Sequence, residues 1–153
     1  MAETGKNSTD EAIKLGILEN IIGYQLRRAQ TALFQNFAKK EYLNSITPGQ
    51  FGLLVKIKNN PGISQTALAK ADGIERSTLG EIIDRFEERG LVERRKHAVD
   101  RRAYALHLTA KGVAFLDEVV PLVFENDADM TNNFSEDEKK ELLRLLKMLA
   151  LHG

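Results

Sequence analysis

Five long cations lie within one ten-residue stretch of this chain. Arg94, Arg95, Lys96, Arg101 and Arg102 fall between Glu93 and Arg102, against two acidic side chains, Glu93 and Asp100. Guanidinium and ammonium groups gathered this way suit phosphate oxygens or a narrow minor groove, because they neutralise backbone charge and displace condensed counterions. A solvated charged hairpin has the same composition, so the run alone leaves both readings open. The residues before it favour nucleic acid. Arg76, Ser77, Thr78, Glu81 and Arg85 are spaced so that one helix would present them outward while Leu79, Ile82, Ile83 and Phe86 face inward. Arginine can grip guanine or phosphate, and hydroxyls near a helix start can reach bases or phosphates. Arg85 and Arg89 remain equally open to ion pairs with Glu81, Glu87 or Glu88 on the same helix.

The elements that must position these groups are legible around them. Ser64 to Ala71 reads as a short helix, Asp72-Gly73-Ile74 as a turn, and Glu75 to Arg89 as a second helix closed by Gly90. That is helix-turn-helix spacing, with Gln65 and Thr66 at the start of the first helix placed to hold backbone. Leu91 to Lys96 and Ala103 to Leu108 have strand character, and His97 to Arg102 form the loop between them, so the hairpin is a wing. Upstream, Thr47-Pro48-Gly49-Gln50 is a capping box with proline at the first helical position, which starts a helix reaching about Lys58. Ile63 has the character of a short strand added to the wing sheet. Downstream, Thr109 caps a helix through about Asp129 in which Pro121 predicts a kink, and Ser135-Glu136-Asp137-Glu138 opens a last helix with the stripe Leu142, Leu145, Leu146 and Leu149.

The order of these elements, with Gly90-Leu91-Val92-Glu93-Arg94, the Asp100-Arg101-Arg102 wing and Leu106-His107-Leu108-Thr109-Ala110-Lys111-Gly112, resembles the MarR (multiple antibiotic resistance regulator) family of winged-helix transcriptional regulators. The likeness spans nearly the whole chain, and its most specific part is the wing with the following Leu-Thr-x-x-Gly. It implies a mainly α fold with a small β wing, made of a winged helix-turn-helix with N- and C-terminal dimerisation helices. In that organisation residues 1–153 form a single unit, with 48–108 as the DNA-binding region and 11–41 plus 113–153 as the dimerisation region. It also implies a homodimer on an inverted repeat of double-stranded DNA, often relieved by a small molecule. Arg101 and Arg102 match the family's basic wing pair, one expected in the minor groove and the other held by Glu75, Asp84 or Asp100.

Composition sets limits on this expectation. The 22 basic and 22 acidic residues cancel, yet residues 113–153 carry four basic against nine acidic, a net charge of −5, which argues against DNA contact by the C-terminal region. No stretch is apolar enough for a membrane span, and Met1 to Asp10 lacks a signal-peptide core, so a cytoplasmic location is expected. Absence of cysteine excludes disulfides, thiolate metal sites and the peroxide-sensing chemistry of some MarR-like proteins. His97, His107 and His152 are too scattered for a metal site, and no nucleophile with an acid-base partner is visible, so no cofactor and no enzymatic activity are expected. A winged helix used only as a protein-interaction module, or a constitutive DNA-binding protein without an effector, is the alternative.

Glu11 to about Glu41 reads as one long helix with two apolar stripes, wider than a single core contact requires, and one stripe is expected to meet a partner subunit. Within it Gly23-Tyr24-Gln25-Leu26-Arg27-Arg28 is similar to a stretch in MarR-like repressors of aromatic-acid catabolism, including those released by hydroxycinnamoyl-CoA. Tyr24, Arg27 and Arg28, with Phe34, Phe37 and Phe51, would enclose an aromatic carboxylate or aromatic acyl-CoA. The three phenylalanines are more often plain core residues, and the two arginines more often salt-bridge partners.

Overall fold

The computed structural model describes residues 13–40, 45–96 and 104–151; the wing residues Arg101 and Arg102 lie outside them. The chain divides into two compact units, residues 1–33 and 34–153. The expected single helix from Glu11 is not formed. A 3₁₀ turn, Gly16–Asn20, comes first, and helix α1 begins only at Ile22 and runs to Lys39. Two local features explain the break. Gly16 adopts a left-handed φ of 56°, and Ile21 is extended at φ −95°, ψ 112°, where branched Ile21 and Ile22 give little resistance to leaving the helix. Gln25 then donates from Nε2 to the Glu19 carbonyl at 2.8 Å, satisfying an acceptor the break exposes.

The second unit holds α2 (Pro48–Asn59), β1 (Ile63–Ser64), α3 (Gln65–Asp72), α4 (Arg76–Glu88), β2 (Val92–Lys96), β3 (Tyr104–Leu108), α5 (Ala110–Met130) and α6 (Glu136–Ala150). Both capping boxes form as their sequences require. Thr47 Oγ1 accepts from the Gln50 amide while the Gln50 side chain accepts from Thr47 N–H, and Ser135 and Glu138 repeat the arrangement. Ser64 caps α3 through the Ala67 amide, and Gly73 ends it in the left-handed conformation a helix C-terminus favours. The antiparallel sheet has the order β1-β3-β2, with Ile63 opposite Leu106 and Arg94 also opposite Leu106 from the other side. Ile63 thus joins the wing sheet as its sequence suggests.

One core binds the winged helix together. Leu53, Leu54 and Ile57 of α2, Leu68 of α3, Leu79, Ile83 and Phe86 of α4, Leu91 and Leu106 of the wing, and Leu116 of α5 are nearly inaccessible. Phe37 belongs to this core, Phe51 is half-buried against the same cluster, and Phe34 is exposed. The Leu-Thr-x-x-Gly sequence has a steric cause. Thr109 donates its amide to the Leu91 carbonyl and its hydroxyl to the Gly90 carbonyl at 2.6 Å, which draws the start of α5 onto the wing. A Cβ at Gly112 would lie 2.0 Å from the Leu91 carbonyl oxygen, so only glycine admits that approach. Helix α5 continues through Pro121. Buried Asn126 on it accepts from Asn36 at 2.9 Å, and Asp129 meets Lys40 at 2.5 Å, fastening the end of α1 to α5.

Helix α6 has no buried residue. Leu142, Leu143, Leu145, Leu146 and Leu149 all stand exposed. Ile13, Ile17, Ile21 and Ile22, in the first unit, are exposed as well. Among the described residues no helix is long and apolar enough to cross a membrane, and no cluster of His, Asp and Glu could hold a metal ion.

Candidate nucleic-acid interface

Helix α4 divides as its sequence requires. Leu79, Ile83 and Phe86 enter the core, whereas Arg76, Ser77, Thr78, Glu81 and Arg85 are exposed. Glu75 caps α4 through its backbone alone, with no side-chain hydrogen bond. Gly90, at φ 70°, turns the chain from α4 into β2; its amide bonds the Glu87 carbonyl, and Leu91 N–H reaches the Phe86 carbonyl, both at 2.8 Å. On α3, Thr66 is exposed and Gln65 half-buried, its amide so near α4 that a Cβ at Gly80 would lie 3.3 Å from it.

The basic residues expected to act together have different surroundings. Arg94 is turned into the winged helix, with its side chain 18% exposed. Its guanidinium pairs with Asp84 at 2.7 Å and with Glu87, Nε donates to Gln65 Oε1 at 3.4 Å, and its backbone amide donates to Glu87 Oε1 at 2.9 Å. Burial pulls the Arg94 pKa down, but the hydrogen bond to Asp84 and the charge of Glu87 outweigh it, so the group sits above its ordinary value and stays protonated. Sequence reasoning placed Arg94 among DNA-facing cations and missed Asp84 and Glu87 as its partners. The available signal was the strand alternation, which puts Arg94 and Arg95 on opposite faces. Arg95 is exposed and paired with Glu93 on its own strand, and Lys96 is exposed beside it.

Arg85 meets Glu81 on its own helix at 4.0 Å, a loose pair that leaves both side chains exposed. Arg89 instead donates to the Ser45 carbonyl at 2.7 Å and covers the Phe115 ring at 5.1 Å. Among the described residues expected to meet DNA, the exposed cations lie on α4 and the outer end of β2, and Arg94 joins those two elements. In the first unit, Arg27 and Arg28 stand 5.3 Å and 6.0 Å from the Tyr24 ring centroid, two cations about one aromatic ring.

A helix-turn-helix whose second helix presents polar groups to solvent, followed by a β hairpin rich in cations, defines a winged-helix DNA-binding protein. The model of the MarR family matches residues 46–104, from just before α2 to the first residue of β3. A candidate transcriptional regulatory protein for the hcr operon of Thauera aromatica is 38% identical over 148 residues, covering 95% of this chain and 89% of that one. The transcriptional repressor CouR bound to a 23-mer DNA duplex superposes with a TM-score of 0.84 at 34% identity, covering 91% of this chain and 99% of that chain. CouR bound to p-coumaroyl-CoA superposes at 0.81, also at 34% identity, with 91% and 98% covered. The chain belongs to the MarR family and is a transcriptional regulator.

Proposed function

We propose that this regulator is a homodimeric repressor that holds an inverted-repeat operator and is released by an aromatic carboxylate or its CoA thioester. Arg76, Ser77, Thr78, Glu81 and Arg85 face the major groove, Gln65, Thr66, Arg95 and Lys96 position phosphates, and Arg101 and Arg102 supply the basic pair that meets the DNA backbone or minor groove. Arg94 braces wing to recognition helix rather than contacting DNA. The observation that carries the DNA reading is the exposure of the polar face of α4 beside a cationic wing. For the effector, the support is the likeness to a CouR structure holding p-coumaroyl-CoA, together with the paired cations at Tyr24.

Two recognition helices engage an inverted repeat only when about one turn of DNA, roughly 34 Å, separates them, so a ligand that favours another spacing weakens binding. A hundredfold loss of occupancy needs a coupling of about 2.8 kcal/mol, within reach of one charge-assisted hydrogen bond plus partial ring burial. The test uses a duplex enriched by the protein from a random pool and followed by fluorescence anisotropy. Addition of p-coumaroyl-CoA or p-coumaric acid releases it, and Arg27→Ala or Arg28→Ala raises the concentration required about tenfold without changing ligand-free binding. Unchanged anisotropy with both compounds overturns the effector reading and leaves the DNA reading standing.

A further inference from the structure

A cleft of about 350 Å³ lies between the end of α4, the start of β2 and the first turns of α5, lined by Arg89, Leu91, Lys111, Ala114, Phe115 and Glu118. None of these residues belongs to the DNA face or to the Tyr24 cluster. From this lining we infer that the cleft is a second ligand site, for a small aliphatic carboxylate carrying a hydroxyl at its far end.

The placement of charge carries the inference. Lys111, Ala114 or Phe115, and Glu118 recur at helical spacing on one face of α5, so the lysine and glutamate backbones stand about 10 Å apart along the axis with an apolar step between. Among the described residues neither Lys111 nor Glu118 enters an ion pair. Lys111 is laid along the backbone, its Cδ and Nζ 3.6 Å and 3.9 Å from where a Cβ on Gly90 would sit. Arg89 is fixed by the Ser45 carbonyl through Nη1, which leaves its other guanidinium donors to a ligand. Two cations suit a carboxylate, and the lone acid at the far end suits a hydrogen-bond donor and repels a second carboxylate. The Phe115 face is already covered by Arg89, so the apolar surface on offer is Ala114 and the lysine stem, which suits an aliphatic body over a stacking ring. A monoanion with a neutral donor also balances the net single positive charge of the lining. Since Arg89 directly follows α4 and anchors it to Ser45, a ligand there bears on the seat of the recognition helix.

Calorimetry on the whole chain tests the inference with 6-hydroxyhexanoate as probe, hexanoate to remove the donor and adipate to replace it with a second anion. The parent binds 6-hydroxyhexanoate at least tenfold more tightly than either control. Lys111→Gln weakens all three ligands about tenfold, whereas Glu118→Gln relieves the repulsion and brings adipate level with the probe. No binding of the probe to the parent, equal binding of all three by the parent, a folded Lys111→Gln variant that binds all three as tightly as the parent, or a folded Glu118→Gln variant that keeps the parent's ranking overturns the assignment. The parent's ranking alone decides if a variant fails to fold. Operator binding is measured separately, so failure here leaves the DNA reading intact.

Discussion

Arg94 and Arg76 have the same side chain and opposite surroundings, and their substitutions separate a brace from a contact. Arg94→Met leaves Asp84 and Glu87 side by side without their shared cation. Both carboxylates keep access to water, so the cost is about 1–2 kcal/mol rather than that of a fully buried pair, and a urea titration reads it as a lowered midpoint. Arg76→Ala removes an exposed side chain and shifts stability by less than about 0.5 kcal/mol, while weakening duplex binding by roughly tenfold to a hundredfold. A fall in stability for Arg76→Ala, with no change for Arg94→Met, would reverse the two assignments. The difference was hard to read in the sequence, where both are cations near a helix-turn-helix. Arg94 acquires its partners only when the fold brings Asp84, Glu87 and Gln65 to the base of the wing. Arg89 is a similar case, since Ser45 and Phe115 are distant in sequence.

At the scale of elements, the features legible in advance were those whose causes are adjacent in sequence. Thr47 with Gln50, Ser135 with Glu138, and Gly90 after α4 each specify a helix end from within four residues, and each formed. The apolar stripe of α4 likewise turned inward as its periodicity required. The first helix was misjudged because apolar periodicity is preserved across a break: Ile13, Ile17 and Ile21 keep helical spacing, although Gly16 and Ile21 leave the helical conformation. The junction of wing and α5 gives the sharpest prediction at this scale. Gly112→Ala places a methyl group against the Leu91 carbonyl, so the start of α5 must move off the wing at a cost of about 1–3 kcal/mol or more, seen as a lowered urea midpoint. Stability equal to the parent would mean that the close approach is dispensable.

For the whole molecule, the leucine face of α6 is the feature a single chain leaves unexplained. Leu145 and Leu149 are 49% and 47% exposed, and the helix buries nothing. Exposed leucines on that scale mark an interaction surface, and a second copy is the occupant the family reading supplies. If a second copy covers that surface, Leu145→Asp combined with Leu149→Asp puts unpaired charges into it, and light scattering detects a dimer for the parent and monomer or unfolded chain for the variant. A stable dimer of the variant would place the interface elsewhere. Its chemistry also fits the charge plan of the chain, which gathers acid in residues 113–153 and cations on the wing.

If α4 and the wing together hold duplex DNA through its phosphates and base edges, binding releases condensed counterions and is steeply salt-dependent. With a duplex the protein has selected from a random pool, the logarithm of the association constant falls linearly with the logarithm of salt concentration, with a slope of about 0.9 for each phosphate neutralised. A steep slope is expected for the parent, and for Arg101→Ala with Arg102→Ala a weaker complex whose slope is shallower by up to about 1.8. Affinity and slope unchanged in the folded double variant, or a parent that enriches no duplex at all, would contradict this mode of binding.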